Sequence, residues 1–174
     1  MINFFHKVID VLAEEKIPYM LSGSVAMGLY VMPRATRDFD FVVQLEPKDI
    51  LSFVSHFAEG YYCNISSIEE AIKFQTMFNI IDHQSGYKAD FVILKSQLFR
   101  QVEFERRQKF SYFEKEVFVV SVEDLLISKL IWIQEFQSSL QKSDIEQLWE
   151  LENIDKTYIR NWIKELKLNA FGII

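Results

Sequence analysis

The sequence predicts an α/β (α+β) fold, an α/β core followed by a C-terminal helical segment. Three observations predict it. The first stretch carries apolar residues at helical spacing, strand-like and helix-like runs then alternate, and only helical periodicity remains after Val120. The 174 residues are 49% hydrophobic and include sixteen phenylalanines, enough apolar material for one core and too little for two independent ones. We therefore expect a core over residues 1–120 with a helical segment, residues 121–174, packed on it.

The elements follow in order. Phe5, Val8, Ile9 and Leu12 share one face of a first amphipathic helix, while His6, Lys7 and Asp10 interrupt what would otherwise be a signal-peptide core. Pro18 opens a strand from Tyr19 to Leu21, which runs through Ser22-Gly23-Ser24 into a helix reaching about Val31, with Pro33 as its stop. Asp38 to Gln44 read as a second strand. Pro47 starts a helix over Asp49 to Phe57 that sets Ile50, Phe53, Val54 and Phe57 on one face. A short helix near Ile68 to Lys73 precedes a hairpin, Thr76 to Asp82 and Tyr87 to Leu94, turning through Ser85-Gly86. Lys95 to Arg107 read as helix, and Lys109 to Phe113 and Val117 to Val120 as strands about a turn at Glu114 to Glu116. Ser121 with Asp124, and Ser143 with Glu146, give two capping signatures, and Asp155 caps a last helix lined by Tyr158, Ile159, Trp162, Ile163 and Leu166.

Charge and composition exclude some functions. The net charge of −6, from 25 acidic and 19 basic residues, argues against non-specific nucleic-acid binding, which needs a positive field. No apolar run approaches the roughly 18 residues of a membrane span, so no membrane association is expected. Cys63 is the single cysteine. It excludes an internal disulfide and a cysteine-based zinc cluster, and reads as a half-buried thiol in a cytoplasmic protein.

Asp38-Phe39-Asp40 carries the chemistry. Strand alternation points both acids to one face, about 6.7 Å apart, where two negative charges at an effective dielectric near 20 repel by roughly 2 to 3 kcal/mol. Two things offset such repulsion: the neighbouring Arg34 and Arg37 in a surface cluster, or a divalent cation such as Mg²⁺ bound by carboxylates and substrate phosphates. Gly23-Ser24, between a strand and a helix, is either a plain turn with its cap or a place where backbone N–H groups meet an anion. Asp90, in a strongly apolar strand, is a third acid for an oxygen-rich metal site.

In order and spacing, Gly23-Ser24, a gap of thirteen residues, Asp38-Phe39-Asp40 and the later Asp90 resemble the nucleotidyltransferase superfamily related to DNA polymerase β. Arg34-Ala35-Thr36-Arg37-Asp38-Phe39-Asp40 is similar, more narrowly, to small bacterial nucleotidyltransferases of the abortive-infection toxin and minimal nucleotidyltransferase type. The likeness covers residues 1–95 and extends to the helix beginning Ser121-Val122-Glu123-Asp124. It implies a nucleotidyltransferase-like mixed sheet carrying Asp38, Asp40 and Asp90, with Mg²⁺ bridging these acids to a nucleoside triphosphate. Gly23 and Ser24 would hold the phosphates, with Arg34, Thr36, Arg37 and Lys129 as further nucleotide-binding residues. Asp38 and Asp40 would bind metal, Asp90 would complete the metal site and help activate an acceptor hydroxyl, and pyrophosphate would leave.

With few final helices, the acceptor is expected to be a protein, an RNA, or a small molecule held partly by the second subunit of a homodimer. A toxin–antitoxin or phage-defence setting, an antibiotic-modifying enzyme, and a catalytically silent protein partner or regulator are the readings this leaves. Lys129 shares the helix face of Leu125 and Leu126, so it meets a triphosphate, pairs with a structural carboxylate, or snorkels to water. Arg100, Arg106, Arg107 and Lys109 are a solvated face or a contact for nucleotide phosphates or a polyanionic acceptor. His6, His56 and His83 lack metal-ligand spacing, Asp144 reads as a helix-dipole residue, and Trp132, Trp149 and Trp162 read as core.

Overall fold

The computed structural model describes residues 1–135 and 137–174. Its centre is a mixed seven-stranded sheet in the order β3-β4-β5-β2-β1-β7-β6. The strands are β1 (Tyr19–Ser22), β2 (Asp38–Val43), β3 (Tyr61–Tyr62), β4 (Met77–Asp82), β5 (Lys88–Ile93), β6 (Gln108–Tyr112) and β7 (Lys115–Val119). The helices are α1 (Ile2–Glu14), α2 (Gly23–Met27), α3 (Ile50–Ser55), α4 (Ile65–Phe74), α5 (Leu98–Glu105), α6 (Val122–Ile133), α7 (Ser139–Trp149) and α8 (Lys156–Glu165). No helix among the described residues is long and apolar enough to cross a membrane.

β2 sits at the middle, antiparallel to β1 and parallel to β5. Its alternation sends Phe39, Phe41 and Val43 to one face and Asp38, Asp40 and Val42 to the other. The register pairs Phe41 with Phe91 and Asp40 with Asp90, so the aromatic face of β2 continues into β5 and so does the acidic one. On the aromatic face, Phe91 stacks on Phe41 and Phe78 at ring-centre distances of 5.5 and 5.0 Å and meets the edge of Phe53 from α3. Phe5 of α1 covers Phe39 at 5.1 Å. Such ring pairs add to burial itself, so this face is a rigid backing for the strands.

The opposite face is covered by α5 and α6. The hydroxyl of Ser121 caps α6 by accepting from the Asp124 N–H, and the Asp124 carboxylate, fully buried, then gathers Arg106, Ser121 and the Tyr158 hydroxyl. Asp155 caps α8 as expected, and Trp162 of α8 meets the edge of Phe99 on α5. These contacts tie α8 to α5 and α6.

Several expectations need correction. The helix after Ser24 ends at Met27, because the Met27 carbonyl already accepts from both Tyr30 and Val31 in a tight turn beyond Gly28, well before Pro33. Ser143 lies inside α7, whose cap is Ser138, accepting from the Gln141 N–H. The second hairpin turns at Phe113-Glu114, with φ of 48° and 62°, one step earlier than Glu114 to Glu116. Two left-handed residues match the twist of a tight two-residue hairpin, and the Phe113 carbonyl is held 2.6 Å from His6 Nε2. The short β3 lies between elements that the sequence separates only by a loop. The hairpin of β4 and β5 forms as expected.

Truncating Phe91 to Ala removes a fully buried ring from three partners, and we expect a loss of about 3 to 5 kcal/mol in urea unfolding. Phe74→Ala, at a largely exposed site, should stay within about 0.5 kcal/mol.

Candidate active site

Asp40 lies at the centre of a row, opposite Ser22 on β1 and Asp90 on β5. Its carboxylate folds back over the turn from β1 into α2. A Cβ added to Gly23 would lie 1.9 Å from Asp40 Oδ2, and Gly23 has a φ of +64°, so space and backbone both demand glycine there. The backbone N–H of Ser24 donates to the same carboxylate. Burial is the chief cause that pushes the Asp40 carboxyl up to about 6, and the negative charges of Asp90 and Asp38 add to it, while the Ser24 N–H and Lys129 oppose it.

Lys88 balances the other acids. It stands two residues before Asp90 in β5, hence on the same face, with Nζ 2.7 Å from Asp90 Oδ2 and 3.9 Å from Asp38 Oδ1. The second oxygen of Asp90, Oδ1, is buried without a hydrogen-bond partner among the described residues. Arg34 and Arg37 are therefore not the partners of the acid pair. Arg34 donates to Ser24 Oγ at 2.5 Å and faces Asp144 at 3.6 Å, whereas Arg37 is exposed and contributes its carbonyl, which accepts from the Lys88 N–H. Thr36 Oγ1 accepts from the Asp38 N–H at 3.3 Å and steadies the start of β2.

A cavity of about 500 Å³ opens beside Asp40, between the β2–β5 face and α5 and α6. Gly23, Ser24, Arg34, Asp40 and Lys129 line it, while Asp38, Asp90, Thr36 and Arg37 lie outside its wall. Its lining is otherwise largely apolar, with Val42, Val92 and Leu94 on the sheet side and Leu125 and Trp132 on α6. Trp132 is 63% exposed on this wall and is not a core residue.

Other expectations also change. Lys129 faces inward and donates to Asp144 at 2.8 Å. Asp144 is not a dipole residue in a first turn: it sits in mid-helix, 2% exposed, because Ile145 and Leu148 set the buried side of α7. The basic stretch is mostly spent internally, Arg100 on Glu103 and Ser128, Arg106 on Asp124, Arg107 on the Phe104 carbonyl and Lys109 on Glu116. Glu103 is buried at the cavity wall, and burial raises its carboxyl against the pull of Arg100 and Ser128. Burial likewise pushes the Cys63 thiol up to about 11, which makes it a poor nucleophile. His56 pairs with Glu15 at 2.6 Å, a structural role.

Among the described residues, no group of three or more acidic, cysteine or histidine side chains is arranged to hold a metal ion. The observed features suit a sparser site. Mg²⁺ commonly takes one or two carboxylates and completes its shell with phosphate and water. Asp38 and Asp40 supply two carboxylates on one face, and burial first, then the like charges of Asp90 and Asp38, raise the Asp40 carboxyl.

Stability should follow Asp40. Its carboxyl binds a proton more tightly in the fold than in the unfolded chain, so the contribution of Asp40 to stability in chelator is greatest below about pH 4, falls as pH rises towards 6, and levels off above it. Asp40→Asn should flatten that fall and stabilise the metal-free protein at pH 7 by up to about 3 kcal/mol, read by urea unfolding across pH. Parallel profiles for the two proteins would contradict this.

No protein-family model and no curated protein sequence matches the chain. Solved structures do. The antibiotic-resistance factor ANT(2'')-Ia aligns at a TM-score of 0.64 and 10% identity, over 95% of this chain and 90% of that one. The lincosamide antibiotic adenylyltransferase LnuA, in its lincomycin-bound form, aligns at 0.53 and 12% identity, over 84% and 94%. An antigenic nucleotidyltransferase-like protein from Paracoccidioides brasiliensis aligns at 0.56 and 16% identity, over 94% and 88%. At such identities the likeness is one of architecture, and it bears out the mixed-sheet fold expected from Gly23-Ser24 and Asp38-Phe39-Asp40: the chain has the nucleotidyltransferase fold.

Proposed function

We propose that the protein is a Mg²⁺-dependent nucleotidyltransferase that moves a nucleoside monophosphate from a nucleoside triphosphate to the hydroxyl of an acceptor. The observation that carries this reading is the contact of the Asp40 carboxylate with the Gly23-Ser24 turn, which brings that turn and Asp40 to one cavity, with Asp38 two residues away on the same face of β2. Asp38 and Asp40 would hold the metal, which would neutralise charge on the phosphates. Gly23 offers its backbone N–H and Ser24 its hydroxyl to the triphosphate, and Lys129 and Arg34 offer cations from the cavity wall. Thr36 contributes by steadying Asp38, and the exposed Arg37 stands one residue before it.

In the reaction the acceptor oxygen attacks the α-phosphorus in line, the bond from that phosphorus to the bridging oxygen of the β-phosphate breaks, and pyrophosphate leaves with the bonding electrons. Asp90, which the register sets opposite Asp40, would accept the acceptor's proton. Positioning and charge neutralisation supply most of the rate.

A small-molecule acceptor is favoured by the cavity itself. Its volume of about 500 Å³ falls within the range of small-molecule pockets, and its apolar wall ends in the exposed Trp132 and in Glu135. The lincomycin-bound neighbour and the antibiotic-resistance factor lend this reading further support.

Incubation with α-labelled triphosphates and Mg²⁺ should transfer label to an acceptor in a panel of small molecules, proteins and RNA. Asp38→Ala and Asp40→Ala should each lower transfer by roughly hundredfold or more, and chelator should abolish it. No transfer, together with a stable hetero-complex, would instead identify a silent protein-binding module. Gly23→Ala should displace the Asp40 carboxylate, and we expect loss of Mg²⁺-dependent nucleotide binding in calorimetry while circular dichroism stays native.

A further inference from the structure

The buried carboxylate of Asp144 holds two cavity-lining cations at once. Its Oδ2 stands 2.8 Å from Lys129 Nζ and 3.6 Å from Arg34 Nη2, with the Asp144 side chain 3% exposed. Asp144 belongs to α7, Lys129 to α6, and Arg34 to the segment between α2 and β2, so one oxygen gathers three separate parts of the chain. Arg34 also donates to Ser24 Oγ, and the Ser24 N–H donates to Asp40. An unbroken polar chain thus runs from α7 to the acid pair. Ser24, Arg34 and Asp144 line both the large cavity and a second one of about 170 Å³, so they form the partition between the two.

Two cations this close repel each other, and each sits on a long stem that reaches water when released. A buried carboxylate between them offsets the repulsion and leaves the trio with one net positive charge. Arg34, with its side chain 39% exposed, keeps donors of its fork free for an anion. A chain of phosphates is long enough to engage both cations, whereas a single phosphate needs only one.

We propose that Asp144 is a positioning residue for the triphosphate, holding Lys129 and Arg34 converged beside Gly23-Ser24 so that they grip successive phosphates together. This rests on the nucleotidyltransferase reading above. Its signature is a preference for a longer phosphate chain, which a merely structural role for Asp144 would not alter.

The test titrates the full chain calorimetrically, in Mg²⁺, with inorganic tripolyphosphate and in parallel with inorganic phosphate. Asp144→Asn should weaken tripolyphosphate binding about tenfold or more while phosphate binding changes little. In a Lys129→Met background the same change should cost less than it does alone, because part of its effect passes through Lys129. Asp144→Glu keeps the buried charge but moves the cations outward by a methylene, and should lower the preference for tripolyphosphate by a smaller factor. If the Asn variant does not fold, the Glu variant decides: an unchanged preference overturns the role. Unchanged or tighter tripolyphosphate binding by Asp144→Asn, or an equal loss for both probes, also overturns it. Failure of the wild-type chain to bind tripolyphosphate would sink the nucleotidyltransferase reading as well, whereas normal wild-type binding with unaffected variants sinks only the role of Asp144.

Discussion

The contact between the Asp40 carboxylate and the backbone of Gly23 is the constraint on which the site depends. Any side chain at residue 23 would occupy the space that Asp40 Oδ2 fills, and the backbone there is left-handed as well. Glycine at this turn therefore serves the acid first, and the anion-binding reading of the turn follows from that. The approach takes Asp40 partly out of water beside two like charges, which is unfavourable for the metal-free protein. In the proposed function, a cation held by Asp38 and Asp40 would offset this cost.

The sheet holds the acids in place from behind. Strand alternation binds each acid to an aromatic neighbour on the other face, Asp38 and Asp40 to Phe39 and Phe41, and Asp90 to Phe91. A one-residue slip of β2 would drive both carboxylates into the phenylalanine core and expose the rings, so register is strongly specified. Packing of Phe5, Phe53, Phe78 and Phe91 thereby becomes a statement about the site, because it fixes where the carboxylates point. On the near side, α5 and α6 roof the cavity, and their N- and C-terminal ties run through buried carboxylates, Glu103, Asp124 and Asp144, each matched by a cation.

What was legible in the sequence was what local rules govern. Alternation placed Asp38 and Asp40 on one face, capping chemistry located the starts of α6 and α8, and Ser85-Gly86 located the β4–β5 hairpin. Lys88 was equally legible by the same alternation, two residues before Asp90, yet the nearer arginines drew the charge-pairing role. The partners of Arg100 and Arg106 were not legible, since Ser128 and Asp124 lie on another helix and only tertiary packing brings them together. Asp144 was misjudged for a related reason: the true cap, Ser138, lies farther upstream, and moving the helix start turns a first-turn acid into a mid-helix one beside Ile145 and Leu148.

The most direct test is a crystal structure of the protein with Mg²⁺ and a non-hydrolysable nucleoside triphosphate. The account predicts metal on Asp38 and Asp40, phosphates against Gly23-Ser24 within reach of Lys129 and Arg34, and Asp90 beside the α-phosphate. A triphosphate bound elsewhere, or a metal-free site with Lys88 still bridging Asp38 and Asp90, would contradict it.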